Sequence, residues 1–386
     1  MRVMLVCPEP LGHGQPAGIG IRFLEIERVL RGDGHEVTLL SRDNGAFDAQ
    51  TLLRVSGESD VAVVQGHVAN DFFAHARPIP TVVDLYDPFL IENLHYFATR
   101  GGEVYAHDHA TLMHSLARGD FFLCASEAQR HFYLGALVAV GRVNPLKFAS
   151  DPTLQSLIAI APFGVPAPRE STHDDAAVLF GGIYDWYDPI AAIEAVTLAR
   201  ASAPAMTLTF TTHPNPELTP QGKTAAAMKH AKGLDFVRFE PWVEYAQRGA
   251  FYDRFAVALL TFPQSIETDL SMRTRVYDYL WGGLPIVTSS APGTDELLER
   301  YGAGLIVGGR TPDTPQAFAD ALLEALRNAD RLRDGARRFT ADHQWPRVLQ
   351  PLVDFVRAPR VDAEKEMPER PPSILDRIRR RIGGRA

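Results

Sequence analysis

"RVMLVCPEPLGHGQPAGIGIRFLEIERVLRGDGHEVTLLS", residues 2–41, decides the fold class. The apolar run "RVMLVC" reads as a buried strand, residues 21–32 as a helix with Ile21, Leu24 and Ile26 inward, and "HEVTLLS" as a second strand. Strand, helix, strand in that order is a βαβ unit and implies a parallel sheet. The connecting loop contains G-x-G-x-x-A, from Gly12 through Gly14 to Ala17, the pattern of a dinucleotide-binding turn. In such a turn the first glycine follows the strand at once. Here Pro8, Glu9, Pro10 and Leu11 intervene, and Pro16 sits inside the pattern. Asp43 follows the second strand, so an acid for the ribose of NAD is present and an NAD-dependent oxidoreductase is a remote alternative.

The alternation continues outward. "VAVVQG", "PTVVDLYD" and "FFLCAS" supply three more strands before the texture changes at "APFGVPAPRESTHDD", which reads as a linker. Alternation then restarts with "AAVLFGG", "AMTLTFT", "LDFVRFE", "FAVALLTF" and "LPIVTS", followed by late helices in "TPQAFADALLEALRNADRLRDGARRF". "DHQWPRVLQPLVDFVRA" is a helix candidate interrupted by Pro351. The expected organisation is an N-terminal Rossmann-like domain over 1–165, a second over 176–340, a crossing helix over 341–358 and a charged tail over 359–386.

Composition narrows the function classes. With 386 residues, 46% hydrophobic and 22% charged, the chain has an ordinary globular balance. A net charge of −8 argues against a general nucleic-acid binder, which needs a basic face. No apolar run reaches the roughly 18 residues of a membrane span, and the first run is too short for a signal peptide. Cys7 and Cys124 each sit in or beside an apolar run and make no disulfide framework, so a reduced, cytoplasmic setting is expected.

Ligands of open parallel sheets bind beyond the carboxyl ends of the strands, so polar residues there need an explanation. The densest such loop is 262–293, which carries Glu267, Asp269, Ser271, Arg273, Arg275 and Asp278. Acids that accept sugar hydroxyls beside arginines that hold diphosphate suit a nucleotide-sugar. A solvated helical face formed by Arg273, Arg275 and Asp278 is the competing reading.

Most of residues 1–355 resembles the retaining glycosyltransferases of the GT-B fold, close to glycosyltransferase family 4. That family shows an E-x7-E element running into "EAMAxGxPVV", matched here by "VYDYLWGGLPIVTS" with Asp278 at the second acid. The register of the first acid falls on Leu270, and Glu267 stands three residues earlier. The resemblance implies two Rossmann-like doubly wound α/β domains facing across a cleft. It places Asp278 on the ribose, Glu267 on the donor sugar, and Gly181 and Gly182 at the diphosphate turn, with Tyr184 and Trp186 beside it. The family's basic residues after this turn are replaced by "YDWYD", so Arg273 and Arg275 would supply the positive charge, with Asp269 and Ser271 also on the donor. Gly18 and Gly20 fit the family's glycine-rich loop near the diphosphate.

On the acceptor side, Asp84 in "PTVVDLYDP" takes the place of the residue near the reacting sugar carbon, with Asp87 next in line. Asp87 also suits a cap on the turn at Pro88. His107 and His109 in "YAHDHATLMH" lie on an apparently irregular stretch, lack a third ligand at a metal spacing, and suit acceptor contacts. Ser126 reads as a helix N-cap. The implied activity is transfer of a sugar from a nucleoside-diphosphate sugar, without metal or cofactor, to a saccharide, lipid-linked or small-molecule acceptor. A sugar-nucleotide epimerase and a non-catalytic sugar-nucleotide-binding protein are the alternatives. Ile374, Leu375, Ile378 and Ile382 share one helical side among arginines. That pattern suits a peripheral membrane contact through 373–386 at the inner face of the plasma membrane, a solubilising tail or a subunit contact.

Overall fold

The computed structural model describes residues 1–12, 16–97, 101–173, 176–212, 221–308 and 313–365. Gly14 of the glycine loop and the basic segment 373–386 lie outside the described residues.

The first half builds a six-stranded parallel sheet from β1 (Arg2–Val6), β2 (Glu36–Leu40), β3 (Val61–Gln65), β4 (Thr81–Asp84), β5 (Phe121–Cys124) and β6 (Ile158–Ile160), in the order β2-β1-β3-β4-β5-β6. The second builds another from β7 (Ala177–Gly182), β8 (Thr207–Thr211), β9 (Val237–Glu240), β10 (Val257–Leu260), β11 (Ile286–Ser289) and β12 (Gly304–Val307), in the order β12-β11-β10-β7-β8-β9. Each half is therefore doubly wound, and the strand order reverses beside β1 and beside β7. Ligand crevices form at such reversals.

Strand periodicity explains the core. Val3 and Leu5 face one apolar cluster that continues into the second half, while Met4 and Val6 face another that belongs to the first half. Both faces of β1 are buried, which is why "VMLV" reads as a continuous apolar run rather than an alternation. Two strands escape the sequence reading. β6 borders the proline-rich linker and β12 follows the left-handed Gly302, and both are short.

The first helix begins at Gly18, three residues before the expected 21, and runs to Gly32. Ile21, Phe23, Ile26 and Leu30 are its buried apolar residues, and Leu24 is only half-buried. Pro351 does not interrupt a helix. It occupies the first turn of Gln350–Arg357, where its missing N–H costs nothing.

The halves are joined by two crossings that lie side by side. Val165 accepts from Trp345 N–H and donates to His343 O, at 3.2 and 2.8 Å. Gly164 lies under the Trp345 indole, where a Cβ would sit 2.4 Å from a ring carbon. After this crossing the chain returns to the first half. Phe355 stacks on Phe121 at 5.0 Å, and Asp362 is held by Arg142 at 2.6 Å and Lys147 at 2.7 Å.

Candidate functional site

A cavity of about 250 Å³ opens between the carboxyl ends of the two sheets. Its first-half wall is formed by Glu9 after β1, Gly18 at the helix start, and Tyr86, Asp87 and Glu92 after β4. Its second-half wall is formed by Gly181 and Gly182 at the end of β7, Tyr184 and Trp186 after it, Trp242 after β9, Arg248, Ser271 to Arg275, and Asp278.

The second-half wall is basic and aromatic. Tyr184 and Trp186 stack at 4.9 Å with an angle of 15°. Arg275 lies over the Tyr187 ring at 4.2 Å and donates to Gly182 O at 2.7 Å. Gly181 has φ +83, and a Cβ there would stand 2.3 Å from the Tyr279 hydroxyl, so this turn admits glycine alone. The three wall arginines are not equivalent. Arg273 is buried and forked onto Glu267 at 3.1 and 3.0 Å, and Arg248 is paired with Asp278 at 2.6 Å. Among the described residues, Arg275 is the wall arginine with no carboxylate within ion-pair distance.

The first-half wall is acidic. Burial pushes Glu9 up to about 7, against the pull of backbone N–H groups of Gly20 and Ala17. It pushes Asp87 up to about 6, with Glu9, Asp84 and Glu267 adding repulsion. Glu92 rises well above its ordinary value, from burial and then from the neighbouring Asp87. His67 lies 3.6 Å from Asp87, and burial lowers its pKa.

The structure moves several expected residues off the wall. Asp84, expected at the reacting carbon, is buried and accepts a fork from Arg22 at 2.7 and 3.0 Å. Glu267, expected on the donor sugar, lies on the short helix Ile266–Leu270 behind Arg273. A carboxylate that fills both oxygens with one guanidinium supports that guanidinium rather than the cavity. Gly20 is also off the wall, pressed against Glu9, and Asp269 is exposed. His107 and His109 sit on the regular helix Gly102–Arg118, not an irregular stretch, and point to solvent away from the cavity. The described residues contain no metal-holding cluster. Gly18, Asp87, Gly181, Gly182, Tyr184, Trp186, Ser271, Arg273, Arg275 and Asp278 do come together on it. Asp87 does not cap the helix after Pro88, whereas Ser126 caps Glu127–Ala139 by accepting from Gln129 N–H at 3.2 Å.

Glu9, Glu92, Trp242 and Arg248 were missed. Glu9 follows the buried strand β1 and Trp242 the edge strand β9, each within three residues, so the carboxyl-end rule would have found them. Arg248 carries no local signal, because its partner Asp278 lies 30 residues away in sequence.

The glycine loop is also accounted for. Asp43 accepts from the N–H groups of Leu11 at 2.7 Å and Gly12 at 2.8 Å. Glu9 accepts from Ala17 at 3.1 Å and Gly20 at 3.0 Å. A dinucleotide turn offers its N–H groups to pyrophosphate. Here the protein's own carboxylates take these donors, and Asp43 is used in closing the loop rather than offered to a ribose.

No family model matches the chain, and no curated protein matches its sequence. Solved structures do match. Anabaena HepE, in complex with UDP-glucose, superposes with a TM-score of 0.64 at 13% identity, covering 93% of this chain and 100% of that one. WaaG, a glycosyltransferase involved in lipopolysaccharide biosynthesis, gives 0.63 at 13% identity, again over 93% and 100%. The pneumococcal O-GlcNAc transferase GtfA, in complex with UDP and GlcNAc, gives 0.54 at 14% identity over 81% of this chain, which spans 59% of that longer one. The fold is accordingly GT-B, two Rossmann-like α/β halves with a cleft between the carboxyl ends of their sheets.

Proposed function

We propose that the chain is a glycosyltransferase that takes a nucleoside-diphosphate sugar on its second half and an acceptor on its first. The observation that carries this is Arg275. It is a guanidinium on a cavity wall at the reversal point of a parallel sheet, free of any carboxylate partner among the described residues and beside a glycine turn that lets backbone approach closely. Such a group suits a diphosphate, which accepts forked, charge-assisted bonds from arginine. Tyr184, Trp186 and Trp242 offer aromatic faces to the rest of the nucleotide.

The chemistry follows from charge. As the sugar–phosphate bond breaks, negative charge collects on the departing diphosphate, and Arg275, with Arg273 held by Glu267 behind it, stabilises that charge without reorganising. Positive character grows on the sugar carbon, and the acidic wall faces it. With no wall carboxylate assigned as a covalent nucleophile, front-face departure with retention is the favoured course, and in this reading arginines rather than a metal ion balance the leaving group. The tail sequence 373–386 supports peripheral contact at the inner membrane face and hence a lipid-linked acceptor over a free small molecule; a cytoplasmic setting goes with it.

Calorimetric titration with UDP, GDP, dTDP, ADP and NAD tests the donor side. Saturable binding of one nucleoside diphosphate is expected. NAD binding alone, or no nucleotide binding, overturns the reading. NMR of the product anomer with the matching donor then reports retention or inversion, and sedimentation of the full chain with anionic vesicles reports membrane contact.

A further inference from the structure

We infer that Gln129 and Tyr86 are positioning residues, forming a clasp that fastens the arginine-bearing segment of the second half to the first half when the cleft is closed. The functional part of this inference rests on the glycosyltransferase reading.

The clasp begins in local sequence. "SEAQ", residues 126–129, opens a helix with Ser126 as N-cap and Gln129 at the third helical position, the residue spacing of a capping box, but with the return bond one residue before the cap. Gln129 Oε1 reaches back to accept from Ala125 N–H at 2.7 Å. This fixes the amide and aims its nitrogen the other way. Nε2 then donates to Tyr86 O at 3.0 Å, within the first half, and to Leu270 O at 2.9 Å, across the cleft. The Tyr86 hydroxyl donates to Met272 O at 2.8 Å, and Ser271 Oγ donates to Glu92 at 2.9 Å. Three consecutive residues, 270 to 272, are thus each tied to the first half.

That segment joins Ile266–Leu270 to the helix Thr274–Trp281, and it leads directly into Arg273 and Arg275. Gln129 is fully buried and Tyr86 nearly so, so opening the cleft would strip these bonds from buried groups. A bond made only in the closed state acts on the closure equilibrium. The arginines therefore reach their working register when the cleft shuts, and binding of a nucleoside diphosphate to the second half alone does not require the clasp.

The test uses Tyr86→Phe, which removes one hydroxyl, and Tyr86→Phe combined with Gln129→Leu. Spin labels on Glu58→Cys and Lys229→Cys, exposed in the two halves, report the interdomain distance, since Cys7 and Cys124 are buried. Wild type should give one narrow distribution and the double variant a broader, longer one. Tyr86→Phe should lower kcat/KM about tenfold through kcat while the Kd for the nucleoside diphosphate stays within about twofold. Should Gln129→Leu not fold, Tyr86→Phe alone decides. Unchanged distances overturn the clasp, with or without lost turnover. Broadened distances in a protein that binds no nucleotide uphold the clasp and sink the glycosyltransferase reading instead.

Discussion

The two walls of the cavity differ in how they handle charge. On the second half two of the three wall arginines are neutralised, Arg273 by Glu267 from behind and Arg248 by Asp278 on the wall itself, and Arg275 has no carboxylate partner among the described residues. On the first half the wall carboxylates Glu9, Asp87 and Glu92 crowd one another, and the arginine of that region, Arg22, lies behind the wall on Asp84. Each half thus buries an arginine–carboxylate fork beside the cavity, but only the second half turns a member of its fork, Arg273, toward it; in the first half both Arg22 and Asp84 lie behind a wall of other acids. The lesson is that a charged residue's type does not reveal its role. Burial and pairing decide which charges are scaffolding and which face a substrate.

The largest expected effect probes the scaffolding. Asp84→Ala strands the buried Arg22 and should cost about 3–5 kcal/mol of stability, read as a drop in thermal midpoint. Lost turnover with an unchanged midpoint would break the comparison and return Asp84 to a direct role at the reacting sugar. Next is the ligand-facing charge. Arg275→Ala should raise the nucleoside-diphosphate Kd by roughly 10- to 100-fold, the worth of a charge-assisted phosphate bond, in a protein whose melting is unaffected. A smaller loss than this would mean that Arg273 or Arg248 holds the diphosphate.

The acid wall should show the smallest effect, and its sign is opposite to that of a paired carboxylate. Glu9 at about 7 and Asp87 at about 6 lie above the ordinary carboxylate range. From the ordinary carboxylate range up to those values the folded state keeps protons that the unfolded chain has released, so stability falls as pH rises from about 4.5 to 7. Glu9→Gln with Asp87→Asn removes the titration and should narrow the gap in thermal midpoint between pH 5 and pH 8 by about 2–4 °C. An unchanged gap would place the crowding elsewhere.

Much of the fold was legible because a doubly wound sheet advertises itself. Buried parallel strands need unbroken apolar runs, and "VMLV", "VAVV" and "VALL" supply them between amphipathic helices. Strands β6 and β12 were not legible, since three or four half-buried residues at a sheet edge have no periodicity to read. In the site, the loops singled out by the carboxyl-end rule line the cavity, with Arg273, Arg275 and Asp278 on one wall. It failed to separate Asp87 from Asp84, three residues apart, because that choice depends on Arg22, which is 62 residues away in sequence.

By itself, the sequence determined two tandem parallel-sheet halves, the loops that would face each other, and the cap at Ser126 that opens the helix carrying Gln129. Each of these is a local property: apolar runs, turn residues and a cap act within a few residues of themselves. Only the tertiary structure decided which acids are paired, which wall arginine has no carboxylate partner among the described residues, and that Leu11, Gly12, Ala17 and Gly20 give their N–H groups to Asp43 and Glu9. Those outcomes rest on ion pairs and hydrogen bonds between residues far apart in the chain, whose strength depends on burial, and neither partner nor burial is written in the local sequence.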